Sequence, residues 1–89
     1  MVEKEVVIQN VKGLHARAAS LFVKTNDVFQ AKVTVCKGRV SVGGGSIMGL
    51  MMLGAGKGTV LTLRAEGKEE KEALDALSSL IEDKFHEEV

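Results

Sequence analysis

The sequence predicts an α+β fold, an open-faced two-layer β-sandwich with a four-stranded antiparallel sheet covered on one face by three helices. Apolar residues recur at every second position in four short segments, which is typical of half-buried strands. In three other segments they recur at helical spacing. The segments follow one another in the order βαββαβα, which favours helices gathered on one face of an antiparallel sheet.

The first half of the chain contains two strands separated by a helix. Alternation of Val6 and Ile8 predicts a strand over residues 2–8. A helix follows over residues 16–27, with Ala19, Phe22 and Val23 on one side. A second strand over residues 31–37 places Val33 and Val35 inward, so that Cys36 faces the opposite way as an exposed thiol.

The second half begins with a tight hairpin at Lys37-Gly38-Arg39 and a third strand over residues 39–43, where Val40 and Val42 alternate. Three glycines end this strand, and a short helix is predicted over residues 47–53. Glycines 54, 56 and 58 then lead into a fourth strand over residues 59–66. The last helix, over residues 69–85, has one apolar stripe formed by Ala73, Leu74, Leu77, Leu80, Ile81 and Phe85.

Composition excludes several function classes. The 89 residues suit a single domain, and 12 basic and 12 acidic side chains cancel, which argues against nucleic acid as a partner. No apolar run is long enough for a membrane span, and the N-terminal residues lack a signal-peptide apolar region. One cysteine and two histidines without ligand spacing predict no disulfide, no metal site and a cytoplasmic location. His86 is expected to be a surface residue, and no cofactor is indicated.

The most informative stretch is Gly13-Leu14-His15-Ala16-Arg17, where a strand gives way to a helix. A helix start has unpaired backbone N–H groups and a partial positive charge, so phosphate binds well there. Arg17 adds a cation whose geometry suits phosphate. His15 is therefore a candidate phosphoryl acceptor, although a lone histidine at such a position can also be a solvated loop residue.

A second stretch adds to the interpretation of the first. It consists of Ser46-Ile47-Met48-Gly49-Leu50-Met51, followed by Leu53-Gly54 and Gly56. Together the two stretches resemble the active-site and regulatory-serine signatures of the HPr family, the histidine phosphocarriers of the bacterial sugar phosphotransferase system. The resemblance extends over residues 2–86 and includes Ala65-Glu66-Gly67. It implies the same βαββαβα fold and a single HPr-like domain over residues 1–89.

The resemblance also implies a function. His15 would accept a phosphoryl group on Nδ1 from phosphorylated enzyme I and pass it to IIA domains, so the protein would be a stoichiometric carrier. The N–H groups of Ala16 and Arg17 would face the phosphate, and Arg17 would neutralise its charge. Ala18 departs from the family, which usually has proline there. Alanine preserves the helix, so only local rigidity is expected to change.

Ser46 and the apolar residues after it each have two interpretations. Ser46 can be a helix N-cap, or the serine that HPr kinase/phosphorylase modifies in the family, or both. The apolar cluster can be entirely core, or Leu50 and Leu53 can be core while the rest forms an exposed contact patch. In HPr proteins the matching positions dock enzyme I and IIA domains. Those positions here, besides Arg17, are Ser20, Leu21, Lys24, Ile47, Met48 and Met51.

Three function classes remain open from the sequence. The first is the phosphocarrier, which His15 favours, and which we expect to be a monomer. The second is an HPr-like regulatory module, a nitrogen-branch or catabolite-control paralogue, that acts by docking to regulatory proteins; Ala18 and Ser46 leave it open. The third is a small-ligand-binding α+β domain without phosphate chemistry.

Overall fold

The computed structural model describes residues 1–89 and has the predicted element order βαββαβα. The strands are β1 (Val2–Val7), β2 (Lys32–Lys37), β3 (Val40–Gly43) and β4 (Val60–Glu66). The helices are α1 (Ala16–Asn26), α2 (Ile47–Met52) and α3 (Glu70–Glu82), followed by a short turn at Lys84–His86. Predicted boundaries are within one residue of these, except at the end of the last helix. No helix is both long and apolar enough to cross a membrane.

The four strands form one antiparallel sheet in the order β1-β4-β2-β3. Only β2 and β3 are joined by a hairpin, whose two-residue turn has Gly38 at a φ of +57°. The last strand in the sequence, β4, lies between β1 and β2. This order brings residues from both ends of the chain to the same region of the fold.

The hydrophobic core lies between the sheet and the helices. Val6, Val33, Val35, Leu61 and Leu63 are buried on the helix-covered face of the sheet, as their alternation predicts. The helices contribute the other side of the core, which includes Ala18, Ala19, Phe22, Leu50, Ala73, Leu74, Leu77, Leu80 and Ile81. Burial of this face, at about 25 cal/mol per Å² of apolar surface, holds the two layers together.

The prediction for the C-terminal end of α3 is wrong. The helix ends at Glu82, and Lys84, Phe85 and His86 have φ values of 56°, 55° and 64°, in the left-handed region. Such a conformation costs roughly 1–2 kcal/mol for each non-glycine residue. Phe85 is nevertheless buried, at 2% exposure, because the turn redirects its ring into the core. The left-handed turn sends the following residues back toward α1.

Cys36 is also not where the sequence analysis placed it. Its side chain does lie on the sheet face opposite Val33 and Val35, but only 9% of the residue is exposed. The physical reason is that β2 is an inner strand, so Ser41 of β3 and Thr62 of β4 flank Cys36 on both sides. The thiol is free and almost buried rather than on the surface.

Candidate functional site

His15 is the N-cap residue of α1, with extended backbone at φ −78° and ψ 179°. Its carbonyl accepts the N–H of Ala19, which begins the helix. No hydrogen bond within the chain uses the N–H groups of Ala16, Arg17 or Ala18, and no side chain caps them. The imidazole therefore lies beside a set of free donors at the positive end of a helix.

The loop that carries His15 is held against the segment after α2. Gly13 has a φ of +67°, and a Cβ built on it would lie 2.4 Å from the carbonyl oxygen of Ala55. The N–H of Leu14 donates to that same oxygen over 2.8 Å. Only glycine tolerates both the backbone angle and the close approach. Gly13 thereby fixes where His15 begins its helix.

Arg17 is exposed and makes no ion pair with any side chain of the protein. It is the second residue of α1 and lies on the edge of a cavity of about 420 Å³ between that helix and the C-terminal turn. The other residues that line this cavity are Ser20, Leu21, Lys24, Phe85, His86 and Glu87. Three of the sequence-predicted docking residues thus share one surface with Arg17.

The imidazole contacts a residue that the sequence analysis did not select. Nε2 of His15 lies 2.5 Å from Oε2 of Glu87. Oε1 of Glu87 accepts a hydrogen bond of 3.0 Å from Nδ2 of Asn10, which also donates to the Gly13 carbonyl over 2.8 Å. The side chains of His15 and Glu87 are 27% and 18% exposed. The loop between β1 and α1 and the C-terminal segment therefore meet at the candidate acceptor.

The electrostatics of this contact favour a charged carboxylate. The hydrogen bond with His15 is the main cause that holds the pKa of Glu87 below its ordinary value of 4.5, and Asn10 contributes in the same direction. Burial acts the opposite way but is outweighed. Glu87 is therefore ionised near neutral pH.

Ser46 is the N-cap of α2, and its hydroxyl oxygen accepts the N–H of Gly49 over 3.0 Å. The serine is exposed, so capping leaves the hydroxyl reachable from solvent. Leu50 and Leu53 are buried, as predicted, whereas Met48 is 72% exposed and Ile47 and Met51 are also exposed. The interpretation of the whole cluster as core is wrong. We call Ile47, Met48, Met51 and Met52 the methionine patch.

The structure brings the predicted residues together in two groups. The first group lies on α1 or at its start and consists of His15, Ala16, Arg17, Ser20, Leu21 and Lys24. The second group is the methionine patch with Ser46 at the start of α2, which packs against α1.

His86 is exposed, as expected, and its Nδ1 pairs with Asp83. Asn10 and Glu87 were missed. An asparagine in the short connection between β1 and α1 was a possible signal for the first, and no local pattern signals the second.

The chain matches the family model PTS-HPr, described as "PTS HPr component phosphorylation site", over residues 2–83. Among curated relatives, the phosphocarrier protein HPr of Neisseria meningitidis serogroup A is 47% identical over 87 residues, which cover 98% of each chain.

Solved structures agree in fold. The crystal structure of HPr-C-His from Thermoanaerobacter tengcongensis superposes with a TM-score of 0.95 at 48% identity and covers 100% of both chains. A crystal structure of an HPr dimer from the same organism has a TM-score of 0.78 at 48% identity and covers 98% of this chain and 100% of that one. Similarity of this extent and level is found within one protein family.

Proposed function

The chain belongs to the HPr family of phosphotransferase-system phosphocarriers, and we propose that within it His15 accepts a phosphoryl group and then passes it on. The observation that carries the proposal is the position of the imidazole beside the free N–H groups of Ala16 and Arg17. Arg17 is the second residue of the same helix and makes no ion pair, so it adds an unpaired positive charge to this helix start. Phosphoryl transfer needs mainly positioning and charge stabilisation, which this small site supplies.

The transfer balances without a cofactor. A ring nitrogen of His15 forms a bond to phosphorus as the bond from phosphorus to the donor breaks, and the donor keeps that electron pair. In the second transfer a nucleophile of the acceptor bonds to phosphorus as the N–P bond breaks, and the electron pair of that bond returns to the ring. The protein is then unchanged, so it acts as a stoichiometric carrier rather than an enzyme.

We propose phosphorylated enzyme I as the donor and IIA domains as acceptors, both in the cytoplasm. The support is the packing of α1 against α2. Helix α1 carries Arg17, Ser20, Leu21 and Lys24, and α2 carries the exposed side chains of Ile47, Met48 and Met51. Methionine side chains adapt to several partners in turn. A carrier that presents one such face works as a single domain over residues 1–89 and as a monomer, which size-exclusion chromatography with light scattering tests.

The deciding experiment incubates the protein with enzyme I and phosphoenolpyruvate, then measures acid-labile phosphate. About one phosphate per chain, transferable to a IIA domain, is expected. Absence of labelling would overturn the carrier and leave the regulatory docking module or the ligand-binding domain.

Ser46 is a second proposed phosphorylation site, for an HPr kinase/phosphorylase. Its exposed hydroxyl at the start of α2 adjoins the methionine patch, so an added phosphate would place negative charge beside the docking surface. Incubation with such a kinase and ATP should label wild type and Ser79→Ala, a control at another exposed serine, but not Ser46→Ala. Labelling that survives Ser46→Ala would refute this assignment.

A further inference from the structure

We propose that Glu87 is a positioning residue for phosphoryl transfer, which keeps the ring proton of His15 on Nε2 and so leaves Nδ1 as the nucleophile. The inference rests on the proposed function and deepens it, because it selects the reacting nitrogen from the geometry of this chain. It gives a role to the C-terminal segment, which lies outside both sequence motifs.

The first step is the identity of the donor in the His15–Glu87 hydrogen bond. An ionised carboxylate can only accept hydrogen bonds. Nε2 lies 2.5 Å from Oε2 of Glu87, so the hydrogen between them must be on Nε2. In a neutral imidazole the other nitrogen then has no proton, and its lone pair is available for attack. Nδ1 makes no hydrogen bond within the chain.

The second step is that the carboxylate is itself fixed. Oε1 of Glu87 accepts from Nδ2 of Asn10, and the same amide group donates to the carbonyl of Gly13. Asn10 is fully buried, so it is a rigid support. One amide therefore ties the carboxylate to the backbone of the His15 loop, and the carboxylate in turn orients the ring through Nε2.

The third step is how the tail reaches this place. Phe85 is buried, and the left-handed turn at Lys84–His86 around it reverses the chain so that Glu87 faces α1. Glu88, the next residue, is exposed and makes no hydrogen bond or ion pair. Strained backbone persists where the surroundings fix it, and it is often found at functional sites.

The chemical consequence concerns charge on the ring. As Nδ1 bonds to phosphorus, the ring gains positive charge while Nε2 keeps its proton. The Glu87 carboxylate lies on the opposite side of the ring and stabilises that charge. When the N–P bond breaks, the electron pair returns to Nδ1 and the original tautomer is restored, so no proton is exchanged with solvent.

The test uses protein labelled with ¹⁵N at histidine, with His86→Gln to assign the two rings. Nitrogen chemical shifts of the neutral His15 ring should show the Nε2–H tautomer alone in wild type and in Glu88→Ala. Glu87→Ala should show both tautomers. A wild-type ring protonated on Nδ1, or a tautomer state unchanged by Glu87→Ala, would overturn the proposal.

Kinetics with enzyme I give the second readout. Glu87→Ala should lower kcat for phosphorylation about tenfold or more, with KM little changed, because positioning rather than docking is lost. Glu88→Ala should match wild type. A raised KM with unchanged kcat would refute positioning in favour of docking. If wild type itself is not phosphorylated, the proposed function is wrong. The tautomer measurement does not require phosphorylation, so it still tests the role of Glu87 independently.

Discussion

The imidazole of His15 and the carboxylate of Glu87 form a hydrogen bond of 2.5 Å although 72 residues separate them in the chain. One residue begins α1, and the other follows the left-handed turn after α3. The candidate phosphoryl acceptor is therefore assembled from both ends of the fold. Its properties depend on the C-terminal segment as well as on the motif around His15.

Acid should release this contact. The lowered pKa of Glu87 means that folding favours its ionised form, so the stabilisation is complete above its ordinary value of 4.5. It is lost as the pH falls through the lowered pKa of the folded state. Thermal melts of wild type and Glu87→Gln should therefore differ near neutral pH and converge in acid below pH 4.5. A difference in melting temperature that persists unchanged through strong acid would contradict this.

His15 should be the only carrier of acid-labile phosphate. His15→Ala removes the nitrogen nucleophile, so labelling by enzyme I and phosphoenolpyruvate should disappear. His86→Ala is the matched control, because His86 is exposed and its Nδ1 contacts only Asp83. It should label like wild type. Phosphate retained by His15→Ala would show that another residue is the acceptor.

Arg17→Glu should slow transfer by about tenfold or more, because it replaces a free cation at the helix start with a negative charge. The side chain is exposed and unpaired, so the melting temperature should change little. Arg39→Glu makes the same charge change at the exposed β2–β3 turn and should transfer normally. Equal transfer rates for the two variants would show that Arg17 has no role in transfer beyond that of an ordinary surface charge.

Met48→Asp should weaken transfer from enzyme I while the stability changes by no more than about 0.5 kcal/mol. Val28→Asp is the control, because both residues are 72% exposed and Val28 belongs to the connection between α1 and β2 rather than to α2. By contrast, Leu50→Ala should cost about 2–5 kcal/mol, since Leu50 is fully buried. Thermal melts and a transfer assay separate these cases, and a transfer rate equal to that of Val28→Asp would exclude Met48 from the docking surface.

Gly13→Ala should destabilise the fold and reduce labelling together. A methyl group there would lie 2.4 Å from the Ala55 carbonyl, at a φ of +67°. The loop must shift, at a cost of more than about 1 kcal/mol, and His15 shifts with it. Gly38→Ala is a useful comparison, because φ is +57° but no atom lies within 4 Å. Similar losses in both variants would show that the close approach to Ala55 is unimportant.

The strands and helices could be predicted because each has a local, periodic pattern of apolar residues in the sequence. Alternating Val33 and Val35, and the stripe that includes Leu74, Leu77 and Ile81, depend only on the period of burial. The predicted helix start indicated His15 and Arg17, and the family resemblance supplied their specific roles and the regulatory interpretation of Ser46. Leu50 could be separated from Met48 because a six-residue helix has too little surface to bury every apolar side chain.

The features that were not predictable depend on contacts distant in the sequence. Phe85 continues the apolar pattern of α3, so the pattern predicts that the helix includes it. In the structure its ring is buried in the core from a left-handed turn instead. Cys36 has the predicted parity but is covered by neighbours from two other strands. Glu87 reaches His15 because that turn reverses the chain, and no residue spacing in the sequence predicts the contact.

The strand order β1-β4-β2-β3 has a kinetic consequence. The sheet is incomplete until β4, residues 60–66, inserts between β1 and β2, so most strand pairing is non-local and forms late. His15 is synthesised before the loop around Ala55 that its own loop contacts, before β4 and before its carboxylate partner Glu87. A growing chain therefore contains the candidate phosphoryl acceptor before it contains the complete site, which cannot assemble until β4 and Glu87 have both been added.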